Sequence, residues 1–357
     1  MSNYDRLKQL MKRAECGDTI TIGFLGGSIT QGSLASSDEN TYAYRVFKWW
    51  QQQFPLARFQ YVNAGIGGTS SQYGVARANR DLLIYRPDFV VIDFSVNDDC
   101  DREDFFAETF EGVLRKVYDS DSNPAVLVLN NVCYDTGINM QQKHNEIADY
   151  YGILHVSIKD TIFREIRNGK YKKDMLTPDN LHPNDLGHEL VAYEICKELQ
   201  RIKDAEEVAS EEDELKEPVT ENKYENSRIL NITNCIPQMN GFKVDANEKH
   251  GHLDLYKNGW IGSRKGDSIC FNIEASNIAV QYRRSISKPA PVARLVLDDD
   301  ITVPIILDAN FNEDWGDCLD LMTILHHGEL EKHKISIEII EEGIKETNFY
   351  LVSLIVS

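Results

Sequence analysis

The sequence predicts an α/β domain built on a parallel sheet covered on both faces, followed by an antiparallel β-sandwich, and three observations predict it. Strand-like and helix-like stretches alternate through residues 1–202; an acidic segment poor in large apolar side chains interrupts the chain at 203–224; and over 225–357 the hydrophobic period falls to two. Strand, helix, strand, repeated, implies right-handed crossovers and therefore parallel pairing.

The elements follow in order. Short β-branched or aromatic runs mark strands at 19–25 (TITIGFL), 59–63 (FQYVN), 88–94 (DFVVIDF), 125–130 (AVLVLN) and 153–157 (ILHVS). Between them lie helix-length stretches at about 40–53, stopped by Pro55; 70–85, stopped by Pro87; 102–118; and 138–151. A last helix is expected at 184–202. Phe89 to Phe94 and Ala125 to Leu129 are almost continuously apolar, as central parallel strands buried on both faces require. Residues 203–224 cannot bury enough surface to offset their ordering entropy, so they read as a solvated helix end and linker. Beyond it, Ile269, Phe271 and Ile273 alternate with polar residues, as do Ile335, Ile337 and Ile339, each set on one face of a strand. The stretches ARLVLDDD, TVPIILD and FYLVSLIVS continue the pattern, broken by Gly, Asn and Asp turns.

Composition narrows the function. A formal charge of −19 repels polyanions, so neither nucleic acid nor an anionic membrane surface is the expected partner, and a neutral substrate fits better. The first residues are charged and amphipathic, without an apolar core of the kind that targets a chain for export, and no run approaches a membrane span; a cytoplasmic location is expected. The seven cysteines are scattered and form no C-x-x-C pair, so buried free thiols are expected rather than a disulfide framework or zinc site. A homo-oligomer is left open.

In an open parallel sheet, functional groups collect at the carboxyl ends of the strands. Four motifs fall there: GGSIT around Ser28, NAGIGGTSS (63–71), SVNDD (95–99) and TPDNLHPNDLGHEL (177–190). Asp179 and His182 lie three apart in a turn bounded by Pro178 and Pro183, which lets the carboxylate reach one imidazole nitrogen while the other faces outward. An imidazole held in that way is the base a serine nucleophile needs, and Ser28 is the candidate. The N–H groups of Ser28 and Gly68 and the amide of Asn97 are candidate oxyanion donors. Each motif alone has a plainer explanation: Gly26 and Gly27 permit a tight turn that Ser28 caps, Asn97 and Asp98 form an Asx turn, and Gly65, Gly67 and Gly68 serve backbone geometry. No phosphate-binding glycine pattern is present. His188 reads as a packed structural histidine, and Tyr42, Tyr44, Phe47, Trp49 and Trp50 as a core-facing aromatic helix. His326 and His327 read as surface or turn residues. Without H-E-x-x-H or a comparable cluster, neither metal nor cofactor is expected.

Taken together, Ser28, Gly68, Asn97 and His182, in that order at those strand ends and with Asp179 three before the histidine, resemble the four blocks of the SGNH (GDSL-like) hydrolase superfamily over about residues 19–202. The resemblance implies a flavodoxin-like α/β/α sandwich and metal-free ester hydrolysis. By position it makes Ser28 the nucleophile, His182 the base, Asp179 its orienting carboxylate, and Ser28, Gly68 and Asn97 the oxyanion hole. Gly27 stands where that family often has aspartate. Residues 225–357 loosely resemble the jelly-roll modules attached to carbohydrate esterases, and the two parts together look like carbohydrate esterase family 17. That implies deacetylation of acetylated manno-oligosaccharides, with an acetylated oligosaccharide as partner. Trp315 and then Trp260 are the candidate sugar-stacking residues, and both also fit a buried core position. Two other readings are a lipid or thioester hydrolase and a non-catalytic carbohydrate-binding protein.

Overall fold

The computed structural model describes residues 1–206 and 216–357; the middle of the acidic segment, 207–215, lies outside the described residues. Two compact units result, Met1–Glu225 and Asn226–Ser357.

The first unit is built on five parallel strands, β1 (Thr19–Gly26), β2 (Arg58–Gly65), β3 (Phe89–Asp93), β4 (Ala125–Asn130) and β5 (Leu154–Ser157), in the order β2-β1-β3-β4-β5. Alternate residues point to opposite faces. Phe89 and Val91 join a core with α1 (Asn3–Glu15), α3 (Tyr42–Gln53) and α8 (Asp185–Asp204), whereas Val90 and Ile92 join a core with α4 (Ser71–Asp81), α5 (Glu103–Tyr118) and α6 (Gln141–Tyr150). Two short helices, α2 (Ser28–Gln31) and α7 (Arg164–Arg167), follow β1 and β5. The chain leaves β1 to one side for β2 and then crosses to the other side for β3, so a crevice opens at the carboxyl ends of β1 and β3. The expected turns carrying Ser28 and Asn97 flank that crevice.

The amphipathic N-terminal stretch, to which the sequence reading assigned no element, is a helix: Ser2 caps α1 by accepting from the Asp5 N–H, and Leu7, Leu10, Met11 and Ala14 are buried. Other sequence expectations change. The helix expected over 70–85 ends at Asp81, and a 3₁₀ turn follows at Leu83–Tyr85. The described remainder of the expected linker, residues 216–224, is mostly exposed but is tied to the first unit. Glu111 on α5 is fully buried and accepts from the N–H groups of Val219 and Thr220, both at 2.8 Å, while Tyr224 is buried against Phe105. A buried carboxylate needs donors, and this backbone supplies them. All seven cysteines are free, but Cys16 and Cys100 are exposed and the others partly exposed rather than buried. Among the described residues no helix is long and apolar enough to cross a membrane.

The second unit is an antiparallel sandwich. One sheet runs β13 (Ile305–Asp308), β12 (Val292–Leu297), β15 (Glu331–Glu341), β10 (Ser268–Ala275), β7 (Gln238–Asn240); the other runs β14 (Cys318–Leu325), β11 (Ile278–Arg284), β16 (Phe349–Val356), β9 (Trp260–Gly262), β8 (Lys243–Val244), with β6 (Arg228–Leu230) also on β16. Ile269, Phe271 and Ile273 of β10 and Ile335, Ile337 and Ile339 of β15 meet Val280, Tyr282, Phe349 and Leu351 in one core, each full burial stabilising by ~1.5–3 kcal/mol. His326 and His327 lie exposed in the turn between β14 and β15.

Candidate active site

Ser28 opens the single turn α2 directly after β1, with Gly27 before it and left-handed Gly32 (φ +105°) ending the turn. Its side chain is nearly buried, 7% exposed. The Oγ lies 2.8 Å from His182 Nε2, and His182 Nδ1 lies 2.6 Å from Asp179 Oδ2. The three side chains form one hydrogen-bonded row although Ser28 and His182 are 154 residues apart.

The histidine turn is built locally. Asp179 Oδ1 accepts from the N–H groups of Leu181 (3.0 Å) and His182 (2.8 Å) and from the Thr177 hydroxyl (3.2 Å). Asn180 takes the left-handed conformation (φ +68°), and its carbonyl accepts the Tyr134 N–H at 2.7 Å. Burial pushes the Asp179 carboxyl up, but hydrogen bonds from the His182 ring and from the His182 and Leu181 backbone outweigh it, so the carboxyl sits below its ordinary value. It stays ionised, holding the proton on Nδ1 and leaving the Nε2 lone pair to face Ser28.

The candidate oxyanion donors gather around the same hydroxyl. Gly68 has φ +67°, and the preceding Gly67 sits so that a Cβ there would lie 3.6 Å from the Ser28 Cβ; the Gly67 N–H is held by Gln31 Oε1 at 2.6 Å. Asn97 lies across Gly27, where an added Cβ would come within 2.1 Å of its Oδ1. Among the described residues, no acceptor takes the N–H of Ser28, the N–H of Gly68 or the Asn97 side-chain amide. The Gly67–Gly68 turn and Asn97 thus stand next to the segment that carries the serine.

Sequence reasoning did not single out Asp93, which helps to hold this rim. Asp93, at the end of β3, accepts from the Thr30 hydroxyl (3.0 Å) and the Asn131 amide (2.9 Å), and its carbonyl accepts the Gly27 N–H (3.2 Å). Burial pushes its carboxyl up to about 7 against the hydrogen bonds from Thr30 and Asn131, with Asp98 adding to the rise. Asp98 is no simple Asx turn: it accepts the Ser71 N–H at 2.8 Å and pairs with buried His144 at 3.1 Å, tying the Asn97 turn to α4 and α6. His188 is structural as expected, fully buried, with Nδ1 accepting the Tyr42 N–H (3.2 Å) and Nε2 reaching the Ser33 carbonyl (3.3 Å). Asp93 stood at the end of an apolar run, and a charge at the end of a central strand was the available signal.

The two tryptophans differ. Trp260 is fully buried edge-to-face against Phe271 in the sandwich core, which overturns its expected role in substrate binding: its ring has no face left for a sugar. Trp315 is 63% exposed and stands edge-on to Phe311.

The sequence profile of the GDSL-like lipase/acylhydrolase family matches residues 24–190. An acetylxylan esterase of Geobacillus stearothermophilus is 25% identical over 205 residues, 49% of this chain and 92% of its own. Two crystal structures of a two-domain esterase (CEX) active on acetylated mannans, one of them co-crystallised with mannopentaose, are similar over 99% of this chain and 94% and 95% of theirs, at 48% identity and TM-scores of 0.94 and 0.96. This chain belongs to the GDSL-like lipase/acylhydrolase family. As a GDSL-like acylhydrolase it carries Gly27 before the serine, where an added Cβ would require the Asn97 side chain to shift.

Proposed function

We propose that this GDSL-like hydrolase is a serine esterase that removes O-acetyl groups from acetylated oligosaccharides, manno-oligosaccharides in particular. The observation that carries the reading is the hydrogen-bonded row Asp179–His182–Ser28. The 48% identity with an esterase active on acetylated mannans supports the substrate class.

In the reaction, Ser28 Oγ attacks the acetyl carbonyl as its proton passes to His182 Nε2, and Asp179 stabilises the imidazolium. The carbonyl oxygen becomes an oxyanion held by the Ser28 and Gly68 N–H groups and the Asn97 amide; one such donor supplies ~2.7–4 kcal/mol of transition-state stabilisation. The intermediate collapses, the bond to the sugar oxygen breaks, and His182 gives that oxygen its proton. His182 then takes a proton from the water that attacks the acetyl-serine and gives it to Ser28 Oγ as the acyl bond breaks, which releases acetic acid and restores Ser28 and His182. Exposed Trp315 offers a flat ring for the C–H face of a sugar. Seven unpaired cysteines fit action in the reducing cytoplasm.

Acetate release from acetylated glucomannan oligosaccharides by the wild type and by Ser28→Ala tests the reading. Loss of release in Ser28→Ala is expected, and equal release by both removes Ser28 from the mechanism. Rates on nitrophenyl esters that rise toward octanoate would favour a lipid hydrolase instead.

A further inference from the structure

Arg77 on α4 is a buried charge that the chemistry above does not use. Its side chain has no solvent exposure, and it lies beneath the rim rather than on it. One terminal nitrogen donates to the Ala64 carbonyl at 2.5 Å and the other to the Gly26 carbonyl at 2.9 Å. Among the described residues its carboxylate partner is Asp81, 3.5 Å away at the next helical turn and itself paired more closely with Arg80, at 2.6 and 2.9 Å.

These two carbonyls lie where the β1–β2 ladder ends. Gly26 and Gly65 are its last paired residues. Beyond them one chain continues into Gly27, Ser28 and α2 and the other into the turn with Gly67 and Gly68, with α2 packed so closely on the second chain that a Cβ on Gly65 would lie 2.2 Å from the Gln31 nitrogen. Besides Arg77, the two chains are joined there by the Ile66 N–H to the Gly26 carbonyl (3.0 Å), the Asn63 amide to the Thr30 carbonyl (2.8 Å) and the Gly67 N–H to Gln31 Oε1 (2.6 Å), of which the first alone holds the ladder end itself. An arginine suits the gap because its planar fork presents donors to two acceptors at once, which a lysine ammonium on a flexible stem does not reproduce. Burying that charge is expensive when its ion pair is long, so simple filling of the space would be better served by an apolar side chain of similar volume.

We propose that Arg77 is a positioning residue for the oxyanion donors: by clamping the end of β1 to the end of β2 it sets the distance between the Ser28 and Gly68 N–H groups. The inference rests on the esterase reading above and deepens it. Donors aimed at the oxyanion act in the transition state, so loosening the clamp lowers kcat and leaves KM in place.

The test uses the full-length protein with Arg77→Lys, assayed on an acetyl ester, with methylboronic acid as a tetrahedral mimic captured by Ser28. Expected is a kcat lower by about 10-fold to 10²-fold, up to the loss of one whole donor, with KM and the pH midpoint of kcat/KM unchanged and methylboronic acid bound more weakly by a similar factor. A folded Arg77→Lys enzyme with wild-type kcat overturns the proposal, as does a lowered kcat with undiminished methylboronic acid affinity. Should Arg77→Lys fail to fold, Asp81→Asn decides, since it leaves Arg77 in place and removes the carboxylate that steadies it. A severalfold fall in kcat at constant KM then supports the clamp, and wild-type kcat overturns it. Activity of the wild type tests the esterase reading separately, so the two failures are distinguishable.

Discussion

Asp179 holds His182 twice: its carboxylate takes the ring Nδ1–H at 2.6 Å through one oxygen and the backbone N–H at 2.8 Å through the other. The second bond fixes the turn, and the first fixes the tautomer. Asp179→Asn therefore keeps a turn-forming side chain but offers the ring an amide that favours the wrong tautomer. A kcat loss of about 10³-fold to 10⁴-fold is expected on an acetyl ester. Steady-state kinetics beside a thermal melt check it, and a loss explained by unfolding alone counts against the orienting role.

Gly27 is needed for space rather than for a left-handed backbone, since its φ is −87°. The Cβ of Gly27→Ala would sit 2.1 Å from Asn97 Oδ1 and must displace that side chain. The variant should lose kcat by about 10²-fold, as Asn97→Ala should, and the double variant little more than either, because both remove the same donor. A double-mutant cycle measures this, and additive losses would separate the two residues.

The buried ring of His188 is neutral, and burial lowers its pKa from 6.5 to about 4. The unfolded chain binds the proton more readily, so the contribution of His188 is fully present above pH 6.5 and is lost as pH falls toward 4. The slope is about 1.4 kcal/mol per pH unit. Urea unfolding at pH 7 and pH 5 should show a smaller difference in His188→Asn than in the wild type.

Asp93 works in the opposite direction. With its folded pKa raised from 3.8 to about 7, the folded state holds the proton more tightly, and its contribution is fully present below 3.8 and lost as pH rises through 7. Asp93→Asn keeps an oxygen for Thr30 and Asn131 and removes the titration. The variant should gain melting temperature over the wild type at pH 8 and gain less at pH 5; an equal gain at both would assign the effect to packing.

The tryptophans of the second unit should separate stability from binding. Trp260→Ala empties a filled core site and should cost about 3–5 kcal/mol. Trp315→Ala, at an exposed position, should shift stability by less than about 0.5 kcal/mol while raising KM for oligosaccharides but not for nitrophenyl acetate. Unchanged oligosaccharide KM would remove Trp315 from substrate binding.

The legible parts of the chain are those whose pattern one face of an element dictates. The alternation at 268–275 is the strand Ser268–Ala275 itself, and the apolar run at 19–25 is β1 to within one residue. β11 was not legible as alternation because both of its faces are covered: Ile278 to Tyr282 are all buried, Gln281 included. In α1 the amphipathic character read from the sequence is the stripe Leu7, Leu10, Met11 and Ala14 at helical spacing, which the fold buries.

Within the candidate site, what residue order alone carried was local and directional. A turn after a parallel strand must fall on the carboxyl rim, so Ser28, Gly68 and Asn97 were bound to share an edge, and three-residue spacing was enough to join Asp179 to His182. Tertiary packing decided the rest: the meeting of Ser28 with His182, the two carbonyls on Arg77, the room for Asn97 over Gly27, and the burial of Trp260 while Trp315 stays exposed. Spacing encodes contacts that the backbone makes with its own neighbours, whereas approaches across the fold depend on how sheets and helices fill space, which no single side chain records.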